Sequence, residues 1–170
     1  SGGVLGIVYN ATKDPIAAAE KAKKTEAIKN VLPEFQELKD MNVKSAMEDA
    51  ELPFHLAYDK DGNFIGAAVE TFTNKGFSGN ISLMVGILAD GTVNNISVLQ
   101  HAETPGLGSK MSEPSFKDQF NNKHADSFNF NVKKDGGDVD AITAATISSR
   151  AFCDAVNRAI STFENNKGGF

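Results

Sequence analysis

The chain lacks most of the features that mark nucleic-acid-binding, disulfide-stabilised or membrane-spanning proteins. It has no tryptophan, a single cysteine, and 17 basic against 22 acidic side chains. One cysteine forms no intrachain disulfide, and a net charge of -5 without clustered Lys and Arg disfavours nucleic acid, because phosphate binding needs such clusters. No apolar run reaches the roughly 20 residues of a membrane-spanning helix. Because the three histidines are scattered and none lies near Cys153, we predict no metal site.

What the sequence does contain suits one folded domain. Hydrophobic residues make up 41% of the 170 positions, which is enough for a packed core at this length. The first ten residues, Ser-Gly-Gly-Val-Leu-Gly-Ile-Val-Tyr-Asn, are weakly apolar. Composition leaves two interpretations of them open: the end of a truncated apolar segment, or a flexible terminus.

Helix signals and turn dipeptides predict an α+β fold. A helix is expected to begin at Asp14-Pro15, because Asp caps free N–H groups and Pro fits the first turn, and to end before Pro33. Residues 34–52 are mixed and polar, and we expect a short helix or a loop there. Two hairpins with tight Asp-Gly turns follow, which implies antiparallel pairing. Their strands are predicted at residues 54–58 and 64–72 around Asp61-Gly62, and at 81–89 and 92–99 around Asp90-Gly91.

The second half of the chain is less regular until its last helix. Residues 114–120 predict a short helix, and the alternation of Phe128 and Phe130 predicts a strand over residues 127–132. Asp135-Gly136-Gly137 predicts a turn. The whole is a single α+β domain, an antiparallel β-sheet with packed helices. The clearest element is a C-terminal helix, predicted by apolar residues at helical spacing: Phe152, Ala155, Val156, Ala159, Ile160 and Phe163.

Two segments are candidates for chemistry. Residues 140–149 read Asp-Ala-Ile-Thr-Ala-Ala-Thr-Ile-Ser-Ser and precede the last helix. Their hydroxyl groups are typical of a helix cap. Alternatively, the helix N-terminus offers N–H groups and partial positive charge to a phosphate, with which a Thr hydroxyl could form an ester. Residues 103–110 read Glu-Thr-Pro-Gly-Leu-Gly-Ser-Lys, either an ordinary surface loop or a shaped turn against a planar ligand, with Lys110 able to meet a phosphate or ring atom.

Together these segments resemble the FMN-binding domain of the G subunit of the Rnf electron transport complex (RnfG) and of the C subunit of the sodium-translocating NADH:quinone reductase (NqrC). That family's attachment motif is Asp-x-x-Ser/Thr-Gly-Ala-Thr. Asp140, Thr143, Ala145 and Thr146 match it, and Ala144 stands where the family usually has Gly. The departure adds one methyl group at the attachment segment.

Two further motifs carry the resemblance. The family's Glu-Thr-Pro-Gly-Leu-Gly sequence is intact at residues 103–108, and residues 76–79, Gly-Phe-Ser-Gly, resemble its Gly-aromatic-x-Gly turn before a central strand. Residues 116–120, Phe-Lys-Asp-Gln-Phe, look closer to the Rnf branch than to NqrC. We therefore expect an Rnf-type subunit, with NqrC as the alternative.

The resemblance implies an electron carrier rather than a stand-alone enzyme, with no catalytic residues. FMN would be held covalently, its phosphate esterified to the hydroxyl of Thr146. A flavin transferase would use FAD as donor and recognise Asp140. Thr143, with Ala144, Ala145 and the amides near Thr146, would hold the phosphate. The other flavin contacts implied are Glu103, Thr104, Gly106, Leu107, Gly108, Lys110, Ser78 and Gly79.

The family also implies partners and a location. The partners are the other membrane subunits of a redox complex that links ferredoxin and NAD and is coupled to ion transport. Residues 1–12 would be the end of a single N-terminal anchor in the cytoplasmic membrane, and residues 13–170 the FMN-binding domain on its outer, periplasmic side. Two other classes stay open: an FMN-binding sensor or regulatory domain, and a secreted domain without flavin in which Thr146 only caps a helix.

Overall fold

A five-stranded antiparallel sheet forms the centre of the protein, whose computed structural model describes residues 18–170. The helix start expected at Asp14-Pro15 and the stub of residues 1–12 lie outside the described residues. Both predicted hairpins are confirmed, with Gly62 and Gly91 at positive φ in their turns. The strands lie side by side in chain order: β1 (Glu37–Lys44), β2 (Glu51–Tyr58), β3 (Phe64–Gly76), β4 (Gly79–Leu88) and β5 (Val93–Gln100).

Strand β1 corrects the prediction of a helix or loop for residues 34–52. It pairs along its whole length with β2, from Glu37 opposite Tyr58 to Lys44 opposite Glu51. Only Val43 in β1 is buried, because the strand lies at the edge of the sheet and most of its side chains face solvent. The apolar alternation that identifies a strand is therefore missing, and pairing with β2 determines its structure.

Each face of the sheet is covered by a helix. The long helix α3 (Thr146–Asn166) packs on one face with most of the core, as its apolar periodicity predicts. Helix α1 (residues 18–31) packs on the other face and ends before Pro33, as expected. The approach of α1 is close at Gly86 of β4, where a Cβ atom would overlap the backbone of Val31. No helix within residues 18–170 is long and apolar enough to cross a membrane.

The connection between β5 and α3 contains short helical turns and little other regular structure. The helix predicted for residues 114–120 is confirmed as α2 (Pro114–Lys117) continued by a 3-10 turn (Asp118–Phe120). The turn at residues 135–137 is confirmed too, with Gly136 at φ 86°. In α3, the ring of Phe152 lies 5.0 Å from the rings of both Phe116 and Phe120, so the connection packs directly on the helix that carries the candidate attachment residue.

The strand predicted for residues 127–132 is wrong. The segment forms only an isolated bridge between Val132 and Val139. Its backbone groups bond partly to side chains and partly to the backbone of the following turn. Asn129 N–H donates to Asp138 Oδ2 at 2.7 Å, the carbonyl of Asn129 accepts from the N–H of Asp138 at 3.0 Å, and Asn157 Nδ2 donates to the carbonyl of Phe130 at 3.0 Å. Phe130 is buried against Phe120. The alternating aromatic residues therefore contribute to the core and not to a sheet.

Candidate functional site

Three segments that are distant in sequence meet at the N-terminal end of α3. They are the turn between β3 and β4, the loop of residues 103–108, and residues 140–146, which we call the attachment segment. Between them lies an open cavity of about 350 Å³, which we call the helix-end cavity. Its lining residues are Phe77, Thr104, Leu107, Gly108, Ala144, Ala145, Thr146, Ile147 and Ser148.

Buried Glu103 joins the loop of residues 103–108 to the turn between β3 and β4 and to the first turn of α3. Its Oε1 accepts a hydrogen bond from the backbone N–H of Phe77 at 2.9 Å and from Ser148 Oγ at 2.8 Å, and its Oε2 accepts one from the N–H of Ser78 at 2.7 Å. Burial alone would raise the pKa of Glu103. The hydrogen bonds from Ser148 and from the two backbone groups outweigh burial and hold the pKa below its usual value. Glu103 is therefore an internal anion that joins the hairpin turn to the first turn of α3.

The loop of residues 103–108 reaches α3 because of its glycines. Gly106 has φ 79°, a conformation that L residues rarely adopt. At Gly108, an added Cβ would lie only 2.8 Å from Glu103 Cβ and would also collide with the side chain of Ser148. The loop backbone thus lies directly on the helix, which a larger residue at position 108 would prevent.

Helix α3 begins without a side-chain cap. Its N-cap residue is Ala145, and Thr146 is the first helical residue. The interpretation of Thr146 as a helix cap is therefore wrong. With no capping side chain, the first-turn N–H groups and the positive end of the helix dipole remain available at the helix-end cavity, which suits an anionic group.

The structure brings together six of the residues suggested by the motifs and places the others around them. Thr104, Leu107, Gly108, Ala144, Ala145 and Thr146 line the helix-end cavity. Glu103 lies beneath it with Ser78 as its partner, while Gly79 and Gly106 occupy turns. Lys110, Asp140 and Thr143 line an adjacent polar pocket of about 340 Å³ on the other side of the attachment segment. Asp140 Oδ1 lies 2.7 Å from Lys133 Nζ in an exposed ion pair.

Sequence reasoning missed three residues of the cavity: Phe77, Ile147 and Ser148. Phe77 is 69% exposed, Ile147 is 50% exposed and Leu107 is 40% exposed, so three large apolar side chains surround one opening. Such a group of exposed apolar side chains is unusual on a protein surface in contact with water and is typical of a site that contacts a ligand or a partner. The aromatic position of the Gly-Phe-Ser-Gly turn was a sequence signal that could have identified Phe77. No sequence signal indicated that Ser148 bonds to buried Glu103.

Ala144 has an unusual backbone conformation, with φ 62°. This left-handed region costs an L residue about 1–2 kcal/mol. We expect Ala144→Gly to stabilise the protein by about 0.5–1 kcal/mol, because the relief of strain exceeds the additional chain entropy that glycine loses on folding. The measurement is the urea unfolding midpoint.

Ala125→Gly provides the matched control for this change. Ala125 is exposed, as Ala144 is, but its φ is not positive, so glycine there should only destabilise. Equal destabilisation by both substitutions would contradict the assignment of strain to Ala144.

Comparisons with known proteins identify the family. The family model described as "FMN-binding domain" matches residues 76–161, a range that contains all three segments of the cavity. The G subunit of the ion-translocating oxidoreductase complex of Aliivibrio fischeri is 37% identical, over 92% of this chain and 80% of the relative. The protein of the same description from Methanosarcina acetivorans is 34% identical, over 97% of this chain and 88% of the relative.

Two crystal structures share the fold. One is the C subunit of the Na⁺-translocating NADH-quinone reductase from Parabacteroides distasonis, with a TM-score of 0.56 and 22% identity, covering 71% of this chain and 64% of that one, just under two thirds. The other is NqrC from Shewanella oneidensis, with a TM-score of 0.53 and 20% identity, covering 85% of this chain and 73% of that one. At these identities the likeness supports the α+β architecture and nothing finer.

Proposed function

This chain belongs to the FMN-binding domain family, with the G subunits of ion-translocating oxidoreductase complexes among its relatives, and on that premise we propose that it carries electrons on an FMN esterified to Thr146. The curated relatives favour an RnfG-type protein over NqrC. The observation that carries the proposal is the position of Thr146, the first residue of an uncapped 21-residue helix beside an open cavity with an apolar rim.

The residues at the cavity suit the parts of FMN. The helix N-terminus would stabilise the negative charge of a phosphate diester on Thr146. The exposed side chains of Phe77, Leu107 and Ile147 offer apolar contact to a planar ring. FMN, when bound, supplies the redox chemistry, while the protein supplies position and electrostatics.

Attachment would join the hydroxyl of Thr146 to a flavin phosphate. In the proposed transfer, Thr146 Oγ would bond to the FMN phosphorus of FAD in place of the AMP group. The pyrophosphate bond would break, AMP would leave, and the hydroxyl proton would pass to a base of the flavin transferase. Glu103 does not serve as that base, because three hydrogen bonds already occupy its carboxylate beneath the cavity. We propose that the transferase recognises Asp140.

A covalent tether suits a carrier with an open site. The cavity opens to solvent between exposed side chains, so electrons can enter and leave through neighbouring subunits, while the ester prevents loss of the flavin during turnover. We propose the other subunits of an Rnf-type complex as partners. A single N-terminal anchor would hold the domain on the outer, periplasmic side of the cytoplasmic membrane.

The test is the intact mass of the protein after co-expression with a flavin transferase. We expect a gain of one FMN less one water, with flavin fluorescence that persists in a denaturing gel. Protein expressed without the transferase is the control and should keep the mass of the bare chain. No gain from a transferase shown to be active on another acceptor would overturn covalent attachment.

A further inference from the structure

The attachment segment is held at its first residue by a side chain that does not touch the helix-end cavity. Gln119 Oε1 accepts a hydrogen bond from the backbone N–H of Asp140 at 2.8 Å, and Gln119 Nε2 donates to the carbonyl of Asp140 at 3.0 Å. Nε2 also donates to the carbonyl of Phe116 at 3.1 Å. These three bonds fix the orientation of the carboxamide, since a flipped amide would place N–H against N–H.

The other end of the attachment segment is tied to α3. Ser149 Oγ accepts a hydrogen bond from the N–H of Ile142 at 2.8 Å and donates one to the carbonyl of Ala145 at 2.9 Å. Ser149 is fully buried, and Ile142 and Ala145 belong to the core. The attachment segment is therefore fixed at Asp140 by Gln119. Ser149 fixes it again at Ile142 and Ala145, on either side of residues 143 and 144.

The middle of the segment is exposed and strained. Thr143 and Ala144 face solvent, and Ala144 has the left-handed backbone described above. A strained residue keeps such a conformation only where its surroundings impose it. Ser149 acts through buried contacts within the core, whereas the bonds of Gln119 to Asp140 lie at the surface and can be removed with little loss of packing.

We infer that Gln119 is a positioning residue for flavin attachment: it holds the segment of residues 140–146 in the one conformation that a flavin transferase accepts. Gln119 lines the adjacent polar pocket with Asp140 and Thr143, so it acts on the backbone and not on the flavin. The role of Gln119 in flavin transfer rests on the proposed function. Its effect on the conformation of residues 140–146 depends only on the hydrogen bonds.

Gln119→Leu is the test variant, because leucine keeps the bulk of the side chain and removes its hydrogen bonds. We call the two hydrogen bonds between Gln119 and the backbone of Asp140 the clamp. Without the clamp, the attachment segment should adopt the conformation that the transferase accepts only part of the time. The apparent KM of the transferase for this protein should therefore rise about tenfold, while kcat stays unchanged. Amide exchange at Asp140, measured by NMR, should become about tenfold faster. The thermal unfolding midpoint should stay close to that of the unmodified protein, since water can replace these exposed bonds.

Gln36→Leu is the control, because the exposed Gln36 side chain makes no hydrogen bond to the rest of the described chain. An unchanged KM with faster exchange at Asp140, or an equal rise in KM in both variants, would overturn the positioning role. Unchanged exchange at Asp140 would overturn the clamp itself. If the unmodified protein accepts no flavin, the proposed function fails and the transfer role of Gln119 fails with it, while the exchange measurement still decides for or against the clamp.

Discussion

Replacing Thr146 with alanine should abolish covalent flavin attachment completely and leave the fold intact. The hydroxyl supplies the oxygen of the proposed ester, and no other atom of the side chain can form that bond. Thr146 makes no capping hydrogen bond and is only half-buried, so its loss should change the free energy of unfolding by less than about 0.5 kcal/mol. The measurement is intact mass after co-expression with the transferase, followed by peptide mapping.

Three matched variants locate the attachment site. Thr143→Ala removes the other threonine of the attachment segment, which lines the adjacent pocket, and should retain the mass gain. Ser148→Ala removes the serine that lines the helix-end cavity and should also retain the mass gain, at some loss of stability. Thr146→Ser keeps a hydroxyl and should still accept flavin. A gain that persists in Thr146→Ala but disappears in Thr143→Ala would move the ester to Thr143.

The largest loss of stability is expected from Glu103→Ala, about 3–4 kcal/mol. The substitution leaves two backbone N–H groups and the hydroxyl of Ser148 without their acceptor, and each unsatisfied buried group costs about 1–3 kcal/mol, partly relieved where water enters. Glu103→Gln keeps the shape but loses the charge and one acceptor, and should cost about 2 kcal/mol. Urea unfolding measures both. A loss below about 1 kcal/mol for Glu103→Ala would show that the contact of the hairpin turn and of α3 with this loop does not depend on the carboxylate.

The contribution of Glu103 should disappear in acid. Its pKa in the folded protein lies below the ordinary value of 4.5, so the stabilisation is fully present above that value and is lost as the pH falls through the folded pKa. Other carboxyl groups, among them Glu48 and Asp154, also have lowered pKa values. The informative quantity is therefore the difference in stability between the unmodified protein and Glu103→Gln, which should be constant near neutrality and shrink below pH 4.5.

The parts of the fold that local patterns encode were predictable from sequence. Tight Asp-Gly turns between apolar strands identified both hairpins, and helical periodicity identified α3. Strand β1 was not predictable, because an edge strand with one buried side chain carries no alternation. The alternation of Phe128 and Phe130 predicted a strand that does not form. The rings pack toward the core, but the backbone has no partner strand.

Part of the candidate site was also predictable from sequence, and part was not. Motif resemblance located the loop of residues 103–108 and the attachment segment, and the structure brings both to one cavity. The inward role of Glu103 depends on partners 26 and 45 positions away, Phe77 and Ser148, and the clamp at Asp140 comes from Gln119, 21 positions earlier. Contacts over such separations are created by the tertiary fold, and a single sequence carries no local sign of them.

The order of the strands has a consequence for biogenesis. Each strand pairs with the one synthesised immediately before it, so the ribosome releases the sheet as successive hairpins before it releases α3. The loop of residues 103–108 and the turn at Phe77 gain their place against the helix only when that last helix docks on a finished sheet. On the proposed function, flavin loading is then the final event in the maturation of the domain, and the cofactor labels chains that have completed their folding.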